Sequence, residues 1–188
     1  GFDINSYFYR YHVTYEAELE HIIFKSWLYA GHISQVAKNG DYFLFDVGED
    51  SIIISRDNKG QIGAMHNICR HRGARVCEET SGNRKAFICP YHGWAYGNDG
   101  HLKSAREMDQ LEGFKCEDYA LKKVRFVVFQ GMIFINCDPN APDFIAPLEN
   151  ISRQLGAYDL ENAKVAERKT YRINAHWKLV LENYLECY

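Results

Sequence analysis

Short runs of alternating apolar and polar residues fill the middle of the chain, from about residue 40 to residue 137. Turn residues separate these runs, most clearly at 57–60 and at 98–100. Such a pattern is typical of antiparallel strands joined by tight hairpin turns. The predicted strands cover residues 42–47, 51–56, 62–67, 85–88 and 125–136.

The two ends of the chain show helical spacing instead. Residues 14–27 are predicted to form a helix with Thr14 as its cap and an apolar face. That face consists of Leu19, Ile22, Ile23 and Trp27. Three prolines between 139 and 147 end the β region, and beyond them we expect a strand over 164–173 and a helix from about residue 178. The predicted parts of the chain are 1–39, 40–150 and 151–188.

Two segments inside the β region combine cysteine with histidine. The pairs are Cys69 with His71 and Cys89 with His92. Two thiolates and two imidazoles suit tetrahedral Zn²⁺, and they also suit a 2Fe–2S cluster with two Cys on one iron and two His on the other. Zinc fingers usually pair like with like, whereas each segment here mixes the two ligand types. We therefore expect an iron–sulfur cluster rather than zinc.

Glycines and a proline shape both segments. Gly73 and Gly93 closely follow the histidines. Because glycine tolerates positive φ, we expect the backbone to turn there and to aim N–H groups at the sulfurs of the cluster. Pro90 stiffens the second segment directly after Cys89. The ligand set and its spacing resemble the Rieske motif, which makes electron transfer the first function to consider.

A second resemblance lies near the C terminus. The residues His176-Trp177-Lys178, Glu182-Asn183 and Glu186 resemble the start of the catalytic domain in large subunits of Rieske non-haem iron oxygenases. The likeness implies a mainly β fold, in which an antiparallel Rieske 2Fe–2S β-sandwich domain (40–150) has flanking helices. Residues 1–39 are then a helical segment that packs on the catalytic part, and 151–188 begin the α+β catalytic domain that holds the mononuclear iron.

The resemblance also implies roles for individual residues. The cluster ligands are Cys69, His71, Cys89 and His92. Glu186 bridges His92 of a neighbouring subunit to the mononuclear Fe(II) site, and Asn183 lies near that iron. On a helix, Glu182, Asn183 and Glu186 share one face. The family's Fe(II) ligands begin after the position of Tyr188, so the chain by itself is expected to be inactive.

The implied protein is an O₂-dependent mono- or dioxygenase that hydroxylates or demethylates a small organic substrate. An NAD(P)H-dependent reductase or a ferredoxin supplies its electrons, and the subunits form a homotrimer, with or without a small subunit. The residues Glu186, Cys187 and Tyr188 resemble the branch that oxidises quaternary ammonium compounds such as carnitine, choline and glycine betaine. Trp94 stands where high-potential respiratory loops carry serine, which predicts a potential near the low end of about −150 to +300 mV.

Composition and two loop positions narrow the classes of protein to which the chain can belong. The formal net charge is −3, and no apolar run approaches 18 residues, so we expect a cytoplasmic protein that binds neither nucleic acid nor membrane. Ala74 and Tyr91 stand where respiratory Rieske proteins carry a disulfide, which excludes that class. A stand-alone Rieske ferredoxin is the alternative function. The other cysteines, expected to be buried free thiols, are Cys77, Cys116, Cys137 and Cys187.

Overall fold

The computed structural model describes residues 5–108 and 110–186. Within these ranges the chain forms ten strands, which pair antiparallel, and four α-helices. The strands are β1 (Leu28–His32), β2 (Asp41–Val47), β3 (Asp50–Arg56), β4 (Ile62–His66), β5 (Ser81–Asn83), β6 (Phe87–Ile88), β7 (Ala95–Tyr96), β8 (Leu102–Ser104), β9 (Arg125–Phe129) and β10 (Met132–Asn136). The helices are α1 (Tyr7–Arg10), α2 (His12–His21), α3 (Ile145–Leu155) and α4 (Trp177–Leu185).

The strands form three sheets, with the orders β1-β10-β9, β4-β3-β2-β5 and β6-β7-β8. The inner strand β3 of the four-stranded sheet is buried on both faces. Ile52 and Ile54 of β3 face a core shared with β1, β9 and β10, whereas Ile53 faces a core shared with Phe87 and Trp94. Burial on both faces explains why β3 reads as a continuous apolar run rather than a strict alternation. The second of these cores contains the two cysteines of the Cys/His segments.

Two predictions about strands are wrong, although the strands predicted at 42–47, 51–56, 62–67 and 85–88 are found with small shifts at their ends. Residues 125–136 form the hairpin β9–β10, because Gln130 and Gly131 have φ values of +47° and +79° and make a two-residue turn. Residues 164–173 do not form a strand. They are exposed, and no strand of the described ranges lies beside them to pair with.

The N-terminal helix also differs from its prediction. It begins at His12 with Tyr11 at the N-cap, so Thr14 lies inside the first turn, where its N–H donates to the Tyr11 carbonyl at 3.1 Å. Because α2 ends at His21, Trp27 lies outside the helix and stacks on Phe144 with ring centroids 5.2 Å apart. The helix predicted near the C terminus is confirmed as α4.

A buried carboxylate joins α2 to the start of α4. Glu18 has 12% of its side chain exposed; it accepts a hydrogen bond from Trp177 Nε1 at 2.9 Å and also binds Lys178 Nζ. His176 Nε2 lies 3.4 Å from the same carboxylate. Burial alone would raise the pKa of Glu18, but hydrogen bonds from Lys178 and Trp177 outweigh burial and hold that pKa below its usual value. We call these four residues the Glu18 clamp.

The architecture confirms a mainly β fold of antiparallel sheets with few helices. The division of the chain after residues 39 and 150 stays a prediction, and the unpredicted strand β1 shows that part of the first segment joins the sheet of β9 and β10. Across the described ranges, no helix is both long enough and apolar enough to cross a membrane.

Candidate metal centre

The two Cys/His segments form loops with equivalent backbone hydrogen bonds. The first loop follows β4, and the second is the turn between β6 and β7. The N–H of Cys69 donates to the carbonyl of Ala74 at 2.8 Å, and the N–H of Cys89 donates to the carbonyl of Trp94 at 2.8 Å. Each loop therefore closes onto itself five residues after its cysteine.

Each loop turns at a glycine four residues after its cysteine. Gly73 and Gly93 have φ values of +75° and +73°, which confirms the predicted turns. The N–H groups of the two glycines themselves donate to the carbonyl oxygen of their own loop's cysteine at 3.0 Å. In the second loop, the N–H groups of Tyr91 and His92 are the ones that hydrogen-bond to the sulfur of Cys89.

The four candidate ligands lie together at the ends of the loops. Cys69 and Cys89 are buried, and the ring centroids of His71 and His92 are 4.6 Å apart. The Nδ1 atom of His71 is buried and has no hydrogen-bond partner in the described ranges, as a position kept for a metal requires. Two thiols and two imidazoles at one place match the donor set of a 2Fe–2S cluster, which takes two cysteines on one iron and two histidines on the other.

The electrostatics of the site suit metal ligands. Burial lowers the pKa of His71, and the nearby His92 and Arg72 lower it further, which favours the neutral imidazole that binds metals. Burial raises the pKa of the Cys89 thiol, but the N–H groups of Tyr91 and His92 act in the opposite direction. The second loop thus already directs two donors at a sulfur that becomes negative when it binds a metal.

One buried residue that closes the first loop was not among the predicted site residues. The side-chain oxygen of Asn67 accepts from the N–H groups of Val76 and Cys77 at 3.0 and 2.9 Å. Its amide nitrogen donates to the Cys77 carbonyl at 2.7 Å and to the Ser51 hydroxyl at 3.2 Å. Asn67 precedes the loop and binds the residues that follow it, so it holds both ends of the loop together.

A second residue of the site that the sequence motifs do not indicate is Tyr96. Its hydroxyl lies 3.3 Å from Cys69 Sγ and accepts the N–H of Arg70 at 3.0 Å. Burial raises the pKa of Tyr96 far above its usual value, so the phenol keeps its proton and can donate it to the sulfur. The indole of Trp94 stacks on the His71 ring at 4.9 Å, with an angle of 7° between the planes.

The other two predicted site residues lie on α4 and not in the loops. Asn183 and Glu186 are exposed, and within the described ranges neither forms a hydrogen bond or ion pair with a loop residue. Because α4 ends at Leu185, the prediction that Glu186 lies on the helix is wrong by one residue, although its N–H still donates to the Glu182 carbonyl at 3.1 Å. Cys187 and Tyr188, quoted for the quaternary ammonium branch, lie outside the described residues.

Two matched Cys/His loops on a small antiparallel β domain define a Rieske iron–sulfur protein. Residues 26–115 match the family described as Rieske [2Fe-2S] domain. The chain belongs to the Rieske oxygenases and corresponds to the N-terminal part of their large, or alpha, subunit. The cofactor of this family's Rieske domain is the 2Fe–2S cluster.

Individual relatives show how far the likeness extends. The chain is 38% identical over 191 residues to the oxygenase subunit of glycine betaine monooxygenase from Pseudomonas aeruginosa, which covers 100% of this chain and 44% of that protein. Identity to the alpha subunit of biphenyl 2,3-dioxygenase from Rhodococcus jostii is 43% over 130 residues, or 69% of this chain and 28% of that one. The crystal structure of the quaternary ammonium Rieske monooxygenase CntA with gamma-butyrobetaine has a TM-score of 0.88 and 32% identity, covering 97% of this chain and 53% of that one. The chain thus spans about half the length of the two relatives that match nearly all of it.

Proposed function

We propose that Cys69, His71, Cys89 and His92 hold the 2Fe–2S cluster and that this part of the protein accepts electrons for an O₂-dependent oxygenase. The observation that carries the proposal is the pair of equivalent loops, which bring two buried thiols and two facing imidazoles together. The cysteines bind one iron and the histidines the other. When bound, the cluster supplies one-electron redox chemistry.

The surrounding side chains have separate tasks in this proposal. Trp94 is 1% exposed and keeps water from one side of the site, while its stacked indole fixes the plane of the His71 ring. Tyr96 donates a hydrogen bond to the sulfur of Cys69. Asn67 fixes the two ends of the first loop, so the ligands of that loop are positioned before the cluster binds.

For electron delivery we propose that Glu186 accepts a hydrogen bond from the outward nitrogen of His92 of a neighbouring subunit in a homotrimer, with or without a small subunit. Such carboxylate–imidazole contacts orient metal-bound histidines. The exposure of His92 supports this choice, because His71 is half-buried and covered by Trp94. Asn183 then lies near the mononuclear Fe(II) site, and an NAD(P)H-dependent reductase or a ferredoxin supplies the electrons.

As substrate we propose a small quaternary ammonium compound, which the whole protein hydroxylates or demethylates. The relatives that act on such compounds, by their names, match essentially the full length of this chain. The biphenyl dioxygenase subunit matches only 69% of it, and its higher identity reflects that shorter region.

The ligand assignment is tested with Cys89→Ala in the full-length protein. We expect the loss of the cluster, measured as iron, acid-labile sulfide and visible absorbance. His101→Ala is the control, since His101 is exposed and lies on the turn before β8, so this variant should keep all three signals. Full retention of the cluster in Cys89→Ala would refute the assignment.

A further inference from the structure

Two surface cavities reach the candidate cluster site, and they expose different ligands. One cavity, of about 370 Å³, is lined by both His71 and His92. The other, of about 480 Å³, is lined by Cys69 and His71 but not by His92. The site can therefore be approached from two directions, and only the first of them exposes the histidine that we assign to electron delivery.

The two cavities also differ in charge. The cavity next to Cys69 is lined by the three cations Arg70, Arg72 and Lys122 and by one carboxylate, Asp50. All three cations are exposed, and in the described part of the chain none of them has a carboxylate partner for an ion pair. This local excess of positive charge is opposite in sign to the net charge of the chain, which is −3.

The cavity at His92 has no such excess. Its two charged side chains, Arg106 and Glu107, lie 4.0 Å apart as an ion pair and compensate each other. The cavity at Cys69 also has an apolar contact in its lining, because Ile68 is 39% exposed there. Cations that surround a small apolar contact suit a brief encounter that charge guides, as expected between electron-transfer partners.

We propose that the basic cavity formed by Arg70, Arg72 and Lys122 over Cys69 and His71 is the docking site for the acidic surface of the protein that donates electrons. Electrons then enter on the side of Cys69 and leave on the side of His92. The inference rests on the proposed function, because it requires that the loops hold the cluster. A second copy of this chain and a small anion are the competing occupants, and the experiment separates them.

The test compares Arg72→Glu/Lys122→Glu with wild type in the cluster-loaded full-length protein. The probe is a reduced plant-type ferredoxin of net negative charge, whose potential of about −400 mV lies below the Rieske range. We expect the second-order rate constant for cluster reduction to fall about tenfold or more at low ionic strength, and the difference to shrink as salt is added. The Kd of the oxidised ferredoxin, measured by calorimetry, should rise in parallel.

Two controls isolate the effect of the cavity. Lys59→Glu/Lys38→Glu makes the same change of net charge on exposed residues near the opposite end of β3–β4, and it should stay within twofold of wild type. Reduction by the methyl viologen radical cation should not slow in either double variant. An equal loss in both variants, or unchanged ferredoxin binding in Arg72→Glu/Lys122→Glu, overturns the inference.

The competing occupants give other results. If the cavity holds a second copy, the charge reversal changes the sedimentation coefficient while the ferredoxin rate constant stays the same, and this also overturns the inference. If the cavity binds only a small anion, phosphate added at constant ionic strength slows cluster reduction equally with charged and uncharged donors. This result also overturns the inference. A wild-type protein that binds no cluster, or whose cluster viologen cannot reduce, contradicts the proposed function itself.

Discussion

The cluster loops and the C-terminal segment are both candidate functional regions, but they are held in place in different ways. The loops close through their own backbone hydrogen bonds and rest on buried side chains such as Trp94 and Asn67. Residues 163–175 are exposed throughout, and α4 is joined to α2 mainly through the Glu18 clamp. The loops therefore form a site by themselves, whereas Asn183 and Glu186 need a partner surface to become one.

The largest effect should come from the proposed contact between subunits. In the full-length enzyme we expect Glu186→Gln to leave the cluster reducible by dithionite and to lower turnover by about 10–100-fold or more, because a weaker acceptor faces His92. Stopped-flow reduction and product formation measure the two properties separately. The control Glu167→Gln changes an exposed carboxylate in the extended segment and should keep normal turnover. Near-normal turnover in Glu186→Gln would show that the bridging role is wrong.

Matched aromatic substitutions compare the stability of the two regions. Trp94→Ala removes a side chain that is 1% exposed and should lower the free energy of unfolding by about 3–5 kcal/mol. Tyr184→Ala removes one that is 82% exposed and should change it by less than about 0.5 kcal/mol. Denaturant unfolding, followed by circular dichroism, measures both values. Equal losses would mean that α4 packs as tightly as the core.

Breaking the Glu18 clamp should lower stability by an intermediate amount. Glu18→Gln leaves Lys178 without its carboxylate partner and should lower the free energy that holds α4 in place by about 1.5–3 kcal/mol. We expect faster amide exchange in α4, while the amides of the strands stay protected. Glu16→Gln is the matched control, because Glu16 pairs with His12 at the surface of the same helix. Uniform loss of protection over the whole chain would contradict a clamp that acts locally where α2 meets α4.

The same carboxylate predicts a dependence on pH. The pKa of Glu18 is lower in the folded protein than in the unfolded chain. The stabilisation that ionised Glu18 gives the folded protein is therefore complete above the unfolded pKa of about 4.3, and it disappears as the pH falls through the lower folded pKa. Pepsin cleavage in α4 should therefore be much slower in wild type than in Glu18→Gln at pH 5, and the two rates should converge toward pH 2. Rates that differ equally at every pH would exclude this titration.

The cluster motif could be predicted from the sequence because its information is local. Cys69 and His71, like Cys89 and His92, are close neighbours in the chain, and each loop closes within six residues. The contribution of Tyr96 could not be predicted in this way, because its partner Cys69 lies 27 positions earlier. Asn67 likewise binds residues beyond the loop, and an asparagine at the end of a strand equally indicates an ordinary turn.

The strand predictions failed where pairing with a neighbouring strand, rather than the apolar pattern of the sequence, decides whether a strand forms. Residues 164–173 have a composition that suits a strand, but a strand needs a neighbour, and none lies beside them in the described ranges. In the run 125–136 the apolar pattern concealed a turn, and Gly131 was the only local signal of it. Both cases show that the β domain was predictable in type but not in the details that long-range contacts fix.

The smallest expected effect concerns the reduction potential. A hydrogen bond to a cluster sulfur favours the reduced state, which carries more negative charge, so Tyr96→Phe should lower the potential. Loss of one such bond, about 0.5–1.5 kcal/mol, corresponds to roughly 20–60 mV for one electron. Protein-film voltammetry measures the shift, and Tyr91→Phe is the control, because Tyr91 is exposed and only its backbone N–H faces a sulfur. The tyrosine adds a donor that the low-potential prediction from Trp94 did not include, so the wild-type potential should lie above the lowest values of the Rieske range. An unchanged or higher potential in Tyr96→Phe would mean that the phenol does not donate to Cys69.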